Sequence, residues 1–327
     1  MIKTPVEKLF DTIDETAVIL QKELSITYLE AIAETGENLF QKEILQELND
    51  DNTKKVTALY NEVNLEEFKA EEIRKALQLA ILKGMREAVQ PHHEMTPDAV
   101  ALFIGYLVNK WTKNKENFSM LDPAVGTGNL FTAVLNQTKK TVTGCGVEAD
   151  ETLLKMAYIN ATLQNHPIEL FHGDSVQPLF VDPVDIVICD LPIGYYPNDQ
   201  LAASYQLKAE EGLSFVHHLL IEQSLNYAKD GAILIFLIPN FLFGDEGADK
   251  LQQFIKDKAI IQGLLQLPLS MFKDEKYAKS IFMIQKKGEH IQLPKQALLA
   301  ELPSFTKQEA LSNIMKQIDQ WFLENTK

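Results

Sequence analysis

Acidic side chains set around a pair of glycines carry the first chemical signal in this sequence. In Leu121-Asp122-Pro123-Ala124-Val125-Gly126-Thr127-Gly128-Asn129-Leu130-Phe131 an apolar run ends in an acid, passes a Gly-x-Gly turn and enters a helical pattern. Glycines there let the backbone turn sharply and leave room for a ligand against the main chain. A dinucleotide fingerprint needs a third glycine where Phe131 stands, and no Lys-Ser/Thr pair follows to make a phosphate loop. Glu148, beside Ala149, lies twenty residues past Gly128, a separation that suits a carboxylate on a ribose diol. Asp174 and Ser175 follow the next apolar run, in His172-Gly173-Asp174-Ser175. An acid before the turn suits a positively charged ligand rather than a phosphate. S-adenosylmethionine presents an ammonium, a ribose diol and an adenine amino group in that order, and it is the expected cofactor.

These acids meet only if an open sheet carries them to one edge. Between 118 and 287 short apolar runs alternate with helical patterns, which predicts an α/β fold with a doubly wound, mainly parallel sheet. Seven strands are expected, over 119–122, 141–148, 168–172, 184–189, 232–238, 260–267 and 280–285. Helices would open near Asn129, Ala149, Leu213 and Glu246. Asp122, Glu148, Asp174 and Asp190 then fall at the carboxyl ends of strands, where such sheets bind ligands.

No proline occurs between Pro5 and Pro91, and apolar residues recur there at helical spacing. The groups are Leu9 with Phe10 and Ile13; Ile44 with Leu45 and Leu48; Val56 with Leu59, Tyr60 and Val63; then Ile73, Leu77, Ala80 and Ile81. They predict an N-terminal helical domain over 1–90. Thr96-Pro97-Asp98 has the form of an N-cap with proline at the first helical position, opening a helix to about Trp111. A catalytic domain is expected over 91–290 and a tail over 291–327. The tail helix is announced by Thr306 and Glu309 at capping-box spacing, with Leu311, Ile314, Met315, Ile318, Trp321 and Phe322 on its apolar face.

Over 91–287 the chain resembles the class I S-adenosylmethionine-dependent methyltransferases, whose fold is Rossmann-like. Within them it is similar to the adenine-N6 DNA methylase domain of type I modification subunits. The segment from Asp122 to Gly128 is similar to the family's methionine-binding motif, and Thr96-Pro97 resembles the segment that packs over the cofactor's carboxylate. Phe215 with His218, Ile238-Pro239-Asn240, Leu267-Pro268 with Phe272, and Ser280-Ile281 extend the match. The resemblance implies a cofactor site of Thr96, Asp122, Pro123, Ala124, Gly126, Thr127, Gly128, Asn129, Leu130, Glu148, Ala149, Asp174, Ser175 and Asp190.

It also implies a catalytic segment, Asp190-Leu191-Pro192-Ile193-Gly194-Tyr195-Tyr196-Pro197, where the family carries Asn/Asp-Pro-Pro-aromatic. An exocyclic amine is a poor nucleophile because its lone pair is delocalised into the ring. The acid and a neighbouring carbonyl would accept its two protons, prolines would fix that carbonyl, and an aromatic ring would stack on the flipped base. Asp190 and Pro192 fit this pattern. Leu191 replaces the first proline and Ile193 the ring, for which Tyr195 or Tyr196 would substitute. The stretch 193–212, long for a loop, reads as a lid or as a loose insertion.

Lys plus Arg total 31 against 46 for Asp plus Glu, a formal charge of −15 that repels a polyanion unless bases gather locally. Only Arg74 and Arg86 are arginines, so the arginine forks common in guanine reading are missing from the catalytic region. Lysines do cluster in sequence: Lys110, Lys113, Lys115, Lys139 and Lys140, then Lys273, Lys276, Lys279, Lys286 and Lys287. DNA is therefore an expected partner with little support from charge. A separate specificity or assembly subunit is what the resemblance implies. Cys145 and Cys189 sit in apolar runs and read as buried packing, and the adjacent pairs His92-His93 and His217-His218 lack metal spacing; no metal is expected. The acidic start does not read as a signal peptide. The longest apolar stretch, 232–243, is broken by Pro239 and Asn240 and is too short to span a bilayer. A cytoplasmic protein is expected. Three functions fit these residues: an adenine-N6 DNA methyltransferase, which fits best; a methyltransferase on RNA or protein glutamine; and a non-catalytic cofactor-binding assembly protein.

Overall fold

A computed structural model describes residues 3–87, 95–244, 246–289, 291 and 293–326. The pair His92-His93 and the expected boundary at residue 90 lie outside them. In chain order the elements are α1 (Pro5–Leu24), α2 (Tyr28–Gln41), α3 (Asp50–Asn61), α4 (Ala70–Glu87), α5 (Asp98–Trp111), β1 (Asn117–Asp122), α6 (Asn129–Leu135), β2 (Thr141–Glu148), α7 (Glu151–Leu163), β3 (Ile168–His172), β4 (Val184–Asp190), α8 (Asp199–Ala202), α9 (Val216–Asn226), β5 (Ala228–Pro239), α10 (Ala248–Lys258), β6 (Ala259–Gln266), β7 (Lys279–Lys286), β8 (Leu298–Glu301) and α11 (Gln308–Asn325). They pack as two compact units.

One unit takes in residues 1–102, 125–138 and 148–172. Its N-terminal helices form because apolar stripes coincide with strong starts. Thr4 and Glu7 close a capping box on α1, and Thr27 and Glu30 close one on α2. Leu9, Ile13, Leu20, Ile32, Leu77 and Ile81 are sealed in its core together with Met156, Ile159 and Leu163 of α7. Burying each such side chain is worth about 1.5–3 kcal/mol. Gly36 marks the closest approach, since a Cβ there would stand 2.2 Å from Cγ2 of Ile159.

The sheet has the order β3-β2-β1-β4-β5-β7-β6-β8; β1 runs parallel to β2 and β4, β4 to β5 and β6 to β8, whereas β7 runs against both β5 and β6. Its middle strands are continuous apolar runs: Val187, Ile188, Leu234, Ile235 and Phe236 are wholly buried, as strands covered on both faces require. Cys145 and Cys189 are buried in β2 and β4 and are not joined in a disulfide.

The α/β architecture, the parallel core and the helical N-terminus match expectation. An eighth strand was not expected: Leu298–Glu301 pairs with β6 from within the tail. Ile44, Leu45 and Leu48 lie in no helix, because α2 stops at Lys42 in the left-handed region (φ 58°) and Asn49 caps the next start. Their spacing mimics a helix across a linker. Pro97, rather than Thr96, takes the N-cap position of α5, its carbonyl accepting from Ala101 N–H at 3.0 Å. The expected box at α11 does not form: Lys307 is the cap residue, and Thr306 instead bonds Ser304.

Candidate active site

The predicted acids fall at or just past strand ends. Asp122 closes β1, Glu148 closes β2, Asp190 closes β4, and Asp174 stands two residues beyond β3.

In the first unit the turn ahead of α6 is held from several sides. Gly126 and Gly128 have φ of 55° and 74°, the left-handed region that favours glycine. A Cβ on Gly126 would meet nothing within 4 Å, whereas one on Gly128 would stand 3.1 Å from Cα of Ala157. Gly126 therefore faces open space, and Gly128 lets the turn lie against α7. Gly126 N–H donates to Glu148 Oε2 and Asp150 N–H to Glu148 Oε1, both at 2.9 Å. Asn160 donates to the carbonyl of buried Thr127 at 3.1 Å. Asn129 donates to the carbonyl of buried Thr96 at 3.2 Å, and Leu130 is buried beside it. The carbonyl of Ala149 lies 3.0 Å from Nε2 of His172.

In the second unit, residues 103–124, 139–147 and 173–327, buried Asp122 accepts from Ala124 N–H at 3.0 Å. Ser175 donates to the carbonyl of Pro123. Asp174 accepts from Val176 N–H at 2.9 Å and from the hydroxyl of Tyr196. Burial, reinforced by that carboxylate, holds the Tyr196 phenol well above its usual range. Burial likewise pushes the Cys189 thiol up, with Asp122 and Asp190 adding to it.

Asp190 Oδ1 accepts from Lys279 Nζ at 2.7 Å, a pair only 16% exposed on each side. Lys279 escaped sequence reading as a site residue; its one signal was a charge immediately ahead of Ser280-Ile281. Leu191 is buried and its N–H donates to the carbonyl of Leu237 at 3.2 Å, extending the β4–β5 ladder. A proline could not make that bond. Pro192 and Ile193 are exposed. Tyr195 is 63% exposed and stacks on Phe215 with ring centroids 5.0 Å apart, whereas Tyr196 is buried at 5%. Of the two tyrosines only Tyr195 presents a ring to solvent.

The loop over 193–212 is anchored rather than loose. It contains α8, Tyr205 donates to the carbonyl of Val176 at 2.5 Å, and Gln206 and Leu207 N–H groups donate to Glu222. Tyr195, Phe215, His218 and Phe243 line a cavity of about 790 Å³ together with Lys208, Glu210, Glu211, Glu246, Asp249 and Lys250. Asn240 and Ser280, from two matched segments, meet through a 2.7 Å side-chain hydrogen bond. Among the described residues no group of histidine, cysteine and acidic side chains is arranged to hold a metal ion. Nor is any helix there long and apolar enough to cross a membrane.

With this geometry in place, comparison with known proteins is decisive for the family. Residues 91–323 match the family described as N-6 DNA methylase. The chain belongs to the N-6 DNA methylase family. Ahead of that match, residues 7–85 match the YtxK N-terminal helical domain. YtxK of Bacillus subtilis (strain 168), described as uncharacterized, is 50% identical over 325 residues, covering 98% of this chain and 99% of its own. A Listeria monocytogenes protein solved as a candidate class I S-adenosylmethionine-dependent methyltransferase is 45% identical, with a TM-score of 0.91 over 97% of this chain and 99% of that one. The methyltransferase subunit of a type I restriction-modification system from Streptococcus thermophilus superposes with a TM-score of 0.65 at 14% identity, covering 98% of this chain and 75% of that one. At that identity the likeness is one of fold.

Proposed function

We propose that this member of the N-6 DNA methylase family binds S-adenosylmethionine and transfers its methyl group to an exocyclic amine, that of adenine in DNA first of all. The observation that supports this most is the glycine turn, left-handed at Gly126 and Gly128 and bounded by strand-end carboxylates. The donor set fits the cofactor: Asp122, Glu148 and Asp174 suit an ammonium, a ribose diol and an adenine amino group, and open space beside Gly126 admits a ligand against the backbone. When bound, the cofactor supplies a methyl on a positively charged sulfur that departs with the bonding pair. This reading also assigns to the cofactor Thr96, Thr127, Asn129, Leu130 and Ala149 of the first unit and Pro123, Ala124 and Ser175 of the second.

Asp190 and an adjacent backbone carbonyl accept the two protons of the amine, which turns its lone pair toward the methyl carbon. Lys279 donates to Oδ1 and fixes the rotamer of Asp190. Leu191 holds the main chain of this segment by its hydrogen bond to Leu237, where the family uses a proline ring. Pro192 and Ile193 border the entering base, and Tyr195 offers the stacking face. Positioning supplies most of the acceleration.

A second reading, methyl transfer to RNA or protein glutamine or cofactor-dependent assembly without catalysis, is favoured by one observation: no ring stands at position 193. We place the protein in the cytoplasm, with a separate specificity or assembly subunit supplying DNA recognition.

Calorimetry is expected to show binding of S-adenosylmethionine and S-adenosylhomocysteine that Asp122→Ala abolishes. Tritium transfer to DNA in cell extract is expected from the wild type and not from Asp190→Ala. No cofactor binding would end the whole reading. Binding without transfer to DNA, RNA or protein would leave the assembly function.

A further inference from the structure

Arg74, on α4 of the helical region, is 0% exposed although it is the most polar of side chains. Its guanidinium grips Glu71 at 2.8 and 2.6 Å, pairs with Asp98, and turns Nη1 onto Oδ1 of Asn129 at 2.7 Å. Asn129 is the first residue of α6, directly after Gly128. Because Arg74 can only donate, it forces the Asn129 amide to present oxygen on that side and NH₂ on the other. That NH₂ reaches the carbonyl of Thr96. At the far end of α6, Asn136 donates to Oε2 of Glu71 at 3.1 Å. One ion pair on α4 thus tethers the short helix behind the glycine turn at both ends.

We infer that Arg74 is a positioning residue for the cofactor turn, and that the N-terminal helical region thereby sets the affinity for the methyl donor. The inference rests on the cofactor reading above. A planar fork is required: lysine would keep the charge but cannot hold Glu71 in two places and Asn129 in a third. Once the fork is lost, the Asn129 amide is free to flip, the Thr96 tether loosens, and the turn samples conformations that do not bind donor.

The test uses the full chain. S-adenosylhomocysteine affinity is measured by calorimetry well below the melting temperature for wild type, Arg74→Lys, Glu71→Gln and the control Lys42→Ala, which breaks an exposed pair with Glu66 on the same helical region. Arg74→Lys should weaken binding by about tenfold, within the usual range of coupling between sites, and Glu71→Gln by less. Hydrogen exchange should quicken at the amides of 126–130 in both, while Lys42→Ala leaves affinity and exchange unchanged. A lower melting temperature with unaltered affinity and exchange would mean that Arg74 is merely structural and would overturn the inference alone. If Arg74→Lys does not fold, Glu71→Gln, nearly isosteric, decides by the same two readouts. Absence of binding by the wild type would overturn both the inference and the cofactor reading.

Discussion

At the level of single residues, Leu191 shows why a departure from a family pattern need not be a defect. Its amide completes the β4–β5 ladder, so restoring the family's proline removes a buried hydrogen bond. Leu191→Pro is therefore expected to lower stability by about 1–3 kcal/mol in urea unfolding; an unchanged midpoint would show the bond to be dispensable. Ile193 is different. It is 48% exposed, so Ile193→Phe should cost little stability and should strengthen adenine-nucleotide binding by about 1–3 kcal/mol, the worth of a base–aromatic stack. Unchanged nucleotide affinity in a titration would argue against a base pocket there. Asp122, Glu148 and Asp190 were legible in the sequence because strand ends announce themselves by an acid after an apolar run. Arg74 and Lys279 were not, because Asp98 and Asn129 lie 24 and 55 residues from Arg74 and Asp190 lies 89 from Lys279, so only the fold brings them together.

Among the elements, strands were read more closely than helix ends. The expected 141–148 and 168–172 coincide with β2 and β3, which are short runs between polar punctuation. β8 was missed because its apolar run, Leu298-Leu299-Ala300, is very short, and it gains its state from pairing with β6. The unformed box at Thr306 and the unhelical Ile44 show that local spacing loses to tertiary context. Helix α9 carries a prediction of its own. Burial, with the neighbouring His218, lowers the pKa of His217 from the ordinary 6.5 to about 3, and among the described residues its Nδ1 finds no hydrogen-bond partner. The unfolded chain takes up that proton first. The stability held by neutral His217 is thus full above pH 6.5 and drains as pH falls toward about 3, at up to about 1.4 kcal/mol per unit. Thermal melts from pH 7 to pH 4 should show this loss, and His217→Phe should flatten it; parallel curves would refute the assignment.

For the molecule as a whole, charge decides how it meets a polyanion. Seven of the ten lysines of the two sequence clusters are already engaged: Lys110 with Asp319, Lys115 with Asp185, Lys140 with Thr112, Lys276 with Asp274, Lys279 with Asp190, and Lys286 and Lys287 on backbone carbonyls. With a formal charge of −15, the isolated chain is expected to hold duplex DNA no more tightly than about 10⁻⁴ M at physiological salt, the weak end of non-specific binding. Fluorescence anisotropy with labelled duplex checks this, and micromolar binding by the chain alone would remove the need for a recognition subunit.

Met156, Ile159 and Leu163 have a consequence for how such a protein can be cut or inherited. They sit on a helix of the methylase-matched stretch yet find their apolar cover in α1, α2 and α4. Severing the chain near residue 90 would leave a greasy scar on the larger fragment and a lidless bundle on the smaller. Gene fission or domain shuffling at that point would yield sticky halves, which ties the two stretches to one reading frame.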